Sequence, residues 1–204
     1  LDDASLRVLL ARLGVPFGDV DVAARSEIRV PEGVVVHSLA DALRNAELAS
    51  TVLQFIAAKD VRAEKISAWH LAHAGMGSVI VVPANFSSDE PIRIDLVLND
   101  ERRVENVLVI VGEGSRVTVV EHLRSNNAAP AAPAEKMVGT NTANAQMPKL
   151  RSSVTDIIVH PNAKATHISL QDFAENVTDL SLKRAIVKRD ASMTWIECVF
   201  GGGF

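Results

Sequence analysis

Three segments of this 204-residue chain repeat one another. Each contains two β-branched residues, a three-residue turn, a small residue and a strand whose third residue is Thr, and Val111, Val159 and Val187 occupy the same position in the three segments. The last interval is 28 residues and the first is 48. Removing about 20 residues of polar sequence from the first interval leaves about 28 in both, and a fixed period in this range indicates stacked units.

The repeated units consist of short strands and turns without a helical pattern between them, which predicts a mainly β fold with a parallel β-helix core, a β-solenoid. In such a core, equivalent strands stack in register, so the three valines are expected in one sheet and Thr118, Thr166 and Thr194 in another. An antiparallel sandwich or jelly roll is the alternative, because both are also built from short strands. Hairpins, however, would not require one turn motif to recur in phase.

Two regions and one insertion are expected along the chain. Residues 1–65 form a small helical and irregular N-terminal region, with leucines at helical spacing from Leu6 to Leu13 and a predicted N-cap at Ser38 before helical residues 39–58. Residues 66–204 carry the β-branched runs and form a partial β-helix core. Residues 125–148 are rich in Ala, Asn, Pro and Thr and cannot bury enough apolar surface to order themselves, which predicts a flexible insertion.

Composition excludes several classes of protein. A net charge of -4 and 4% aromatic residues without Tyr are atypical of nucleic-acid binding. The single cysteine, Cys198, excludes an intramolecular disulfide framework and a zinc site with several cysteines, and fits a reducing cytosol. No apolar run approaches the roughly 18 residues of a membrane-spanning helix, and no signal peptide is visible, so we expect a cytoplasmic protein without a membrane partner.

No catalytic residues are predicted. No order of residues typical of Ser-His-Asp or Cys-His nucleophiles stands out, and no carboxylate pair is distinguished by its surroundings. The glycines at 112 and 114 lack the lysine of a phosphate-binding loop and instead indicate a turn that needs positive φ. The sequence therefore favours a protein that is not an enzyme.

Several short motifs resemble one known family. They are PEGVVV at 31–36, WHLAHA at 69–74, VGEGS at 111–115, and LKRA at 182–185 followed by Trp195. In their order and spacing they resemble the SufB/SufD family of iron–sulfur cluster assembly proteins, over most of the chain from about Pro31. The resemblance implies a right-handed parallel β-helix flanked by helical segments. It also implies partners: a SufC-type ABC ATPase, and a SufB/SufD paralogue or a second copy of the chain.

The chain departs from the family pattern in two respects. Family members continue well past the position matched by Phe204, and that part carries the surface for SufC, the main pairing interface and the best-supported cluster residues. The chain is therefore expected to be a fragment without the C-terminal part. SufB proteins often have a cysteine at the position of Val187, so the resemblance is closer to SufD.

Three residues are candidates for cofactor binding: Cys198, Gln171 and Lys183. The Cys198 thiolate could hold iron or accept sulfur, although a buried structural cysteine on the face of Ile196 is favoured. The resemblance implies a polar tunnel containing Gln171, Lys183 and Trp195, in an interior that is thought to conduct sulfur or electrons in the family. The favoured alternative is a turn whose Phe173 fills the core.

No metal site is predicted. His70 and His73 have the i, i+3 spacing of two ligands on a helix, but no further ligand follows at a recognisable spacing. For His122, His160 and His167, structural roles in which the ring has hydrogen-bond partners are favoured over metal binding.

The combined expectation is a scaffold or partner subunit of the SUF iron–sulfur cluster assembly machinery. The chain alone is expected to hold no cofactor, and the iron–sulfur cluster is expected at the level of the full complex. A β-solenoid enzyme acting on carbohydrate and a purely structural solenoid are the alternatives. The first of these usually needs clustered carboxylates or basic residues along one groove, which are not apparent.

Overall fold

The computed structural model describes residues 27–57, 77–99, 102–125 and 149–201. These residues form a mainly β structure with two five-stranded sheets. Sheet A contains, in spatial order, β1 (Glu27–Arg29), β4 (Ile92–Leu98), β6 (Arg116–Ser125), β8 (Lys164–Asp172) and β10 (Ser192–Val199). Sheet B contains β2 (Val35–Ser38), β3 (Ser78–Val82), β5 (Arg102–Val111), β7 (Lys149–Val159) and β9 (Val177–Val187). The helices are α1 (Leu39–Arg44) and α2 (Ala49–Ala57).

From β3 onward the described strands alternate between the two sheets. Each strand from β5 to β10 pairs in parallel with the strand two places before it. Among the described strands, antiparallel pairing is found only where β1 meets β4 and β2 meets β3. Successive passages of the chain therefore stack on one another in both sheets.

The predicted register is confirmed. Val159 pairs with Val111 on one side and with Val187 on the other, in sheet B. Thr166 pairs with Thr118 and Thr194 in sheet A. The antiparallel alternative is therefore wrong for the repeated segments.

The turns of the repeat also stack. Gly114, Asn162 and Asp190 all have positive φ, between 56° and 68°. The Gly114 N–H donates to Pro161, and the Asn162 N–H donates to Arg189. Positive φ was expected in the first of these turns, and Gly or Asn tolerates it best because a larger Cβ substituent is strained there.

The N-terminal region contributes to both sheets and covers one of them. Strands β1 and β2 form one edge of each sheet, while α1 and α2 pack on the outer face of sheet B through Leu39, Val52 and Phe55. The predicted N-cap is present: the Ser38 hydroxyl accepts a hydrogen bond from the Asp41 N–H at 3.0 Å. Neither of the two described helices is long and apolar enough to cross a membrane.

Parts of the sequence interpretation lie outside the described residues. They include the helical pattern at Leu6–Leu13, the boundary at residue 65, and positions 126–148 of the insertion. Ser125, its first residue, is the last residue of β6. The domain limits and the flexibility of the insertion stay predictions.

Candidate functional site

Charged side chains lie between the two sheets. Along β6 the buried inward residues are Val117, Val119, Glu121 and Leu123, so one carboxylate stands between two apolar clusters. The neighbouring inward positions carry the rest of a set that we call the polar layer. Its members are Arg103, Glu105, Glu121, Arg151, Asp179, Ser181, Lys183 and Glu197.

The repeat places these residues in rows. In sheet B, Arg103 pairs with Arg151 and Arg151 pairs with Asp179. In sheet A, Ser169 pairs with both Glu121 and Glu197. Since alternate residues of a strand point to one face, these rows face each other across the interior.

Arg151 is the centre of the polar layer. Its side chain is 1% exposed, and its Nε lies 3.0 Å from Glu105 Oε2. Its Nη1 lies 2.9 Å from Asp179 Oδ1 and donates to the Ser181 hydroxyl at 3.2 Å. Burial opposes the charge, but the carboxylates of Glu105, Asp179 and Glu121 outweigh it and raise the pKa of Arg151. The guanidinium is therefore permanently charged and joins strands from both sheets.

Glu121 is the carboxylate with the weakest partners in the layer. Its Oε1 lies 3.6 Å from Arg151 Nη2, and its Oε2 lies 3.5 Å from Lys183 Nζ. Within the described residues, Oε2 is buried without a hydrogen-bond partner. Burial raises the pKa of Glu121, and Arg151 and Lys183 only partly offset this.

Lys183 connects the interior to a pocket. Its Nζ donates to Glu197 Oε2 at 2.7 Å. The pocket has a volume of about 330 Å³ and is lined by Gln171, Ser181, Lys183, Trp195 and Glu197. The structure thus brings together the two predicted candidates Gln171 and Lys183 with Trp195, and adds an acid and a hydroxyl.

Cys198 lies apart from this pocket. It pairs with Leu170 on β8, whereas Glu197, one residue earlier in the strand, lines the pocket. Its thiol is free and half-buried, rather than the buried structural cysteine favoured from the sequence. Cys198 therefore shares no lining with Gln171 and Lys183.

Phe173 lies in the core, as the favoured interpretation of the sequence predicted. It is buried with Leu96, Leu98, Leu123 and Val177. The residues before it continue β8 instead of forming a turn, so that part of the prediction is wrong.

His167 differs from its predicted satisfied role. Its ring is fully buried, and neither nitrogen has a hydrogen-bond partner among the described residues. The ring centroid lies 4.9 Å from that of Trp195, and Nε2 lies 3.7 Å from Glu121 Oε2. Burial, with a smaller effect of Lys183, lowers the pKa of His167 to about 3, so the imidazole is neutral.

The other histidines in the described ranges do not belong to the polar layer. His122 Nδ1 lies 3.6 Å from Asp95 Oδ1, and both side chains are partly exposed. His160 lies at a repeat turn, while His70 and His73 are outside the described residues. Across the described ranges, no group of three His, Cys, Asp or Glu side chains is arranged to hold a metal ion.

The sequence interpretation missed Asp179 and Ser181 of the polar layer because β9 was not recognised as a strand. The central inward positions of β9 are polar, namely Asp179, Ser181 and Lys183, whereas Leu180 and Leu182 point outward and are exposed. Strands usually place apolar side chains inward and polar side chains outward, and this part of β9 does the opposite. The repeat itself contained the missing signal, because Arg151 and Asp179 are separated by one 28-residue period.

Comparison with known proteins agrees with these observations. A family model described as "SUF system FeS cluster assembly, SufBD core domain" matches residues 96–204, slightly more than half of the chain. This match includes all of the polar layer.

Curated relatives agree with the family match. Iron-sulfur cluster assembly SufBD family proteins of Staphylococcus saprophyticus, Staphylococcus epidermidis and Staphylococcus aureus are each 30% identical over 135 residues. The aligned region is 65% of this chain and 25% of each relative. The chain thus spans about a quarter of the length of these relatives and belongs to the SufBD family of iron–sulfur cluster assembly proteins.

Proposed function

We propose that the chain is part of a scaffold or partner subunit that works in iron–sulfur cluster assembly without catalysing a reaction itself. Its proposed partners are a SufC-type ABC ATPase and a SufB/SufD paralogue or second copy, and its proposed location is the cytoplasm. The iron–sulfur cluster is the cargo of the complex and is not held by this chain alone. The family membership of residues 96–204 is the observation that carries the proposal.

We also infer that the two stacked sheets form a right-handed parallel β-helix. The support is the alternation of strands between sheets, each parallel to the strand two places before it. Right-handed crossovers dominate among parallel strands connected within one sheet.

The polar layer supports a role beyond structural support. A buried ionic cluster is rarely the most stable way to fill a core, because well-packed apolar residues often do as well or better. A solenoid whose only task was rigidity could continue the apolar cluster around Val109 and Ile157 along the interior. The charges favour a function in the interior, and the pocket at Gln171 and Lys183 is where small reactants of cluster assembly would meet it.

Cys198 is not the centre of the proposed function. One thiol cannot supply the four thiolates usual for an iron–sulfur cluster, and Cys198 does not line the pocket with Lys183. In the proposal, cluster ligands come from other chains or from the rest of the full-length protein.

Co-purification tests the proposal. The full-length gene product, carrying an affinity tag, is co-expressed with the SufC-type ATPase and SufB/SufD paralogue of its own organism, and with an unrelated ABC ATPase as control. We expect the SufC-type ATPase and the paralogue to be retained in stoichiometric amounts and the control to be lost. Failure to retain either, combined with hydrolysis of any member of a polysaccharide panel, would replace the proposal with the carbohydrate-enzyme alternative. Failure of both assays would favour a structural solenoid.

A further inference from the structure

Glu121 and His167 form an unusual pair in the interior. Their side chains are 2% and 0% exposed, and Oε2 of the acid lies 3.7 Å from Nε2 of the imidazole. Neither atom has a hydrogen-bond partner within the described part of the chain. If the imidazole hydrogen is on Nδ1, Nε2 and an ionised carboxylate are two facing acceptors, and each stays unsatisfied at a cost of about 1–3 kcal/mol. A hydrogen between them, on Nε2 or on a protonated Glu121, satisfies both once the side chains move slightly closer than 3.7 Å.

The charges around Glu121 leave it poorly compensated. Arg151 is shared among Glu105, Asp179 and Glu121, and its contact with Glu121 is the longest at 3.6 Å. Lys183 lies closer to Glu197 than to Glu121, at 2.7 Å against 3.5 Å. The Glu105 carboxylate is a second negative charge near Glu121, although Arg103 pairs with Glu105 at 3.0 Å.

We propose that Glu121 and His167 share one buried proton, and that loss of this proton moves the Lys183 ammonium from Glu197 to Glu121. With the proton in place, Glu121 donates to His167 Nε2 and Lys183 pairs with Glu197. When the proton leaves for solvent, the Glu121 carboxylate needs a cation, and Lys183 Nζ is already within 3.5 Å of its Oε2. The proton count is balanced, since the one proton that Glu121 loses goes to solvent and Lys183 changes only its partner.

The two arrangements give the pocket different charge. Paired with Lys183, Glu197 is neutralised at the pocket wall. When Lys183 moves to Glu121, the negative charge of Glu197 is left unpaired at the pocket wall. The Glu197 side chain is 46% exposed, so water can solvate this charge. The pocket is therefore more negative at higher pH and less receptive to anions. This switch is independent of the proposed partners and of iron–sulfur chemistry.

Trp195 provides the measurement, since its ring contacts that of His167 and Trp69 is the only other tryptophan. In a Trp69→Phe chain, we expect Trp195 fluorescence to change through one transition above the ordinary titration range of glutamate. Glu121→Gln, which keeps the shape of the protonated acid, should abolish the transition while the circular dichroism spectrum is retained.

Two further variants give opposite shifts. Lys183→Met removes the cation that stabilises ionised Glu121, so the midpoint should rise by about one pH unit or more. Glu197→Gln frees Lys183 for Glu121, so the midpoint should fall. These directions test the proposal even if Glu121→Gln does not fold. A transition that persists in Glu121→Gln, shifts of the opposite sign, or the absence of any transition in the Trp69→Phe chain would overturn it.

Discussion

Arg151 and Asp179 occupy the same inward position one repeat apart, and Arg151 Nη1 lies 2.9 Å from Asp179 Oδ1. A period of 28 residues thus brings opposite charges together in the row of sheet B that also contains Arg103. The Asp179 carboxylate thereby supplies a counter-charge to the buried Arg151 guanidinium of the preceding repeat.

Removal of the central guanidinium should be costly. Arg151→Met leaves the carboxylates of Glu105, Asp179 and Glu121 buried without their shared cation, and breaking a buried ionic cluster in this way costs about 3–5 kcal/mol. Urea unfolding followed by circular dichroism measures the loss. Arg189→Met is the matched control, because Arg189 is 81% exposed and pairs only with exposed Asp190 among the described residues. Equal unfolding midpoints for the two variants would contradict the central position of Arg151.

Acid should destabilise the protein through His167. Its pKa is lowered to about 3 in the folded state and is about 6.5 in an unfolded chain. Below that higher value the imidazole of the unfolded chain binds a proton that the folded imidazole does not, so the contribution of His167 to the free energy of unfolding falls as pH decreases from about 6.5 to about 3. The raised pKa of Glu121 contributes in the opposite direction. The slope contributed by His167 is about 1.4 kcal/mol per pH unit.

His167→Phe isolates this contribution. The variant keeps a ring against Trp195 and should lose the corresponding slope in urea-unfolding measurements between pH 6.5 and 4.5. His122→Phe, on a partly exposed site outside the polar layer, should retain it. The same slope in His167→Phe and the unsubstituted chain would show that His167 binds its proton equally well in both states.

The turn at Asp190 should respond to backbone conformation alone. Its φ is 56°, a region that costs a residue with an ordinary Cβ roughly 1–2 kcal/mol and costs Gly little. Asp190→Gly should therefore unfold at a higher temperature than Asp190→Ala. Both variants remove the exposed contact with Arg189, so the comparison cancels it. A higher melting temperature for Asp190→Ala would contradict the positive φ.

The sequence predicted those parts of the structure whose residues repeat in a visible pattern, and missed the parts whose residues do not. Val111, Val159 and Val187 were correctly placed in register because β-branched residues and turn motifs recur visibly along the chain. The ionic core could not be found in the same way, since Asp179 and Lys183 at inward positions imitate an exposed strand face. Gln171 and Lys183 were selected from family resemblance. Glu197 joins them only in the structure, where β10 pairs with β8 and faces Lys183 of β9 across the interior.

Anaerobic cluster reconstitution tests the central claim, that this chain acts as a partner subunit and not as the cluster carrier. The chain alone, its Cys198→Ser variant, and a complex of the full-length gene product with its SufC-type ATPase and SufB/SufD paralogue are each supplied with iron and sulfide. After desalting, visible absorbance and iron content are measured. We predict no stable cluster on the chain or on its variant, and a cluster on the complex. A stable cluster on the chain alone that Cys198→Ser removes would contradict the claim and make Cys198 a cluster ligand.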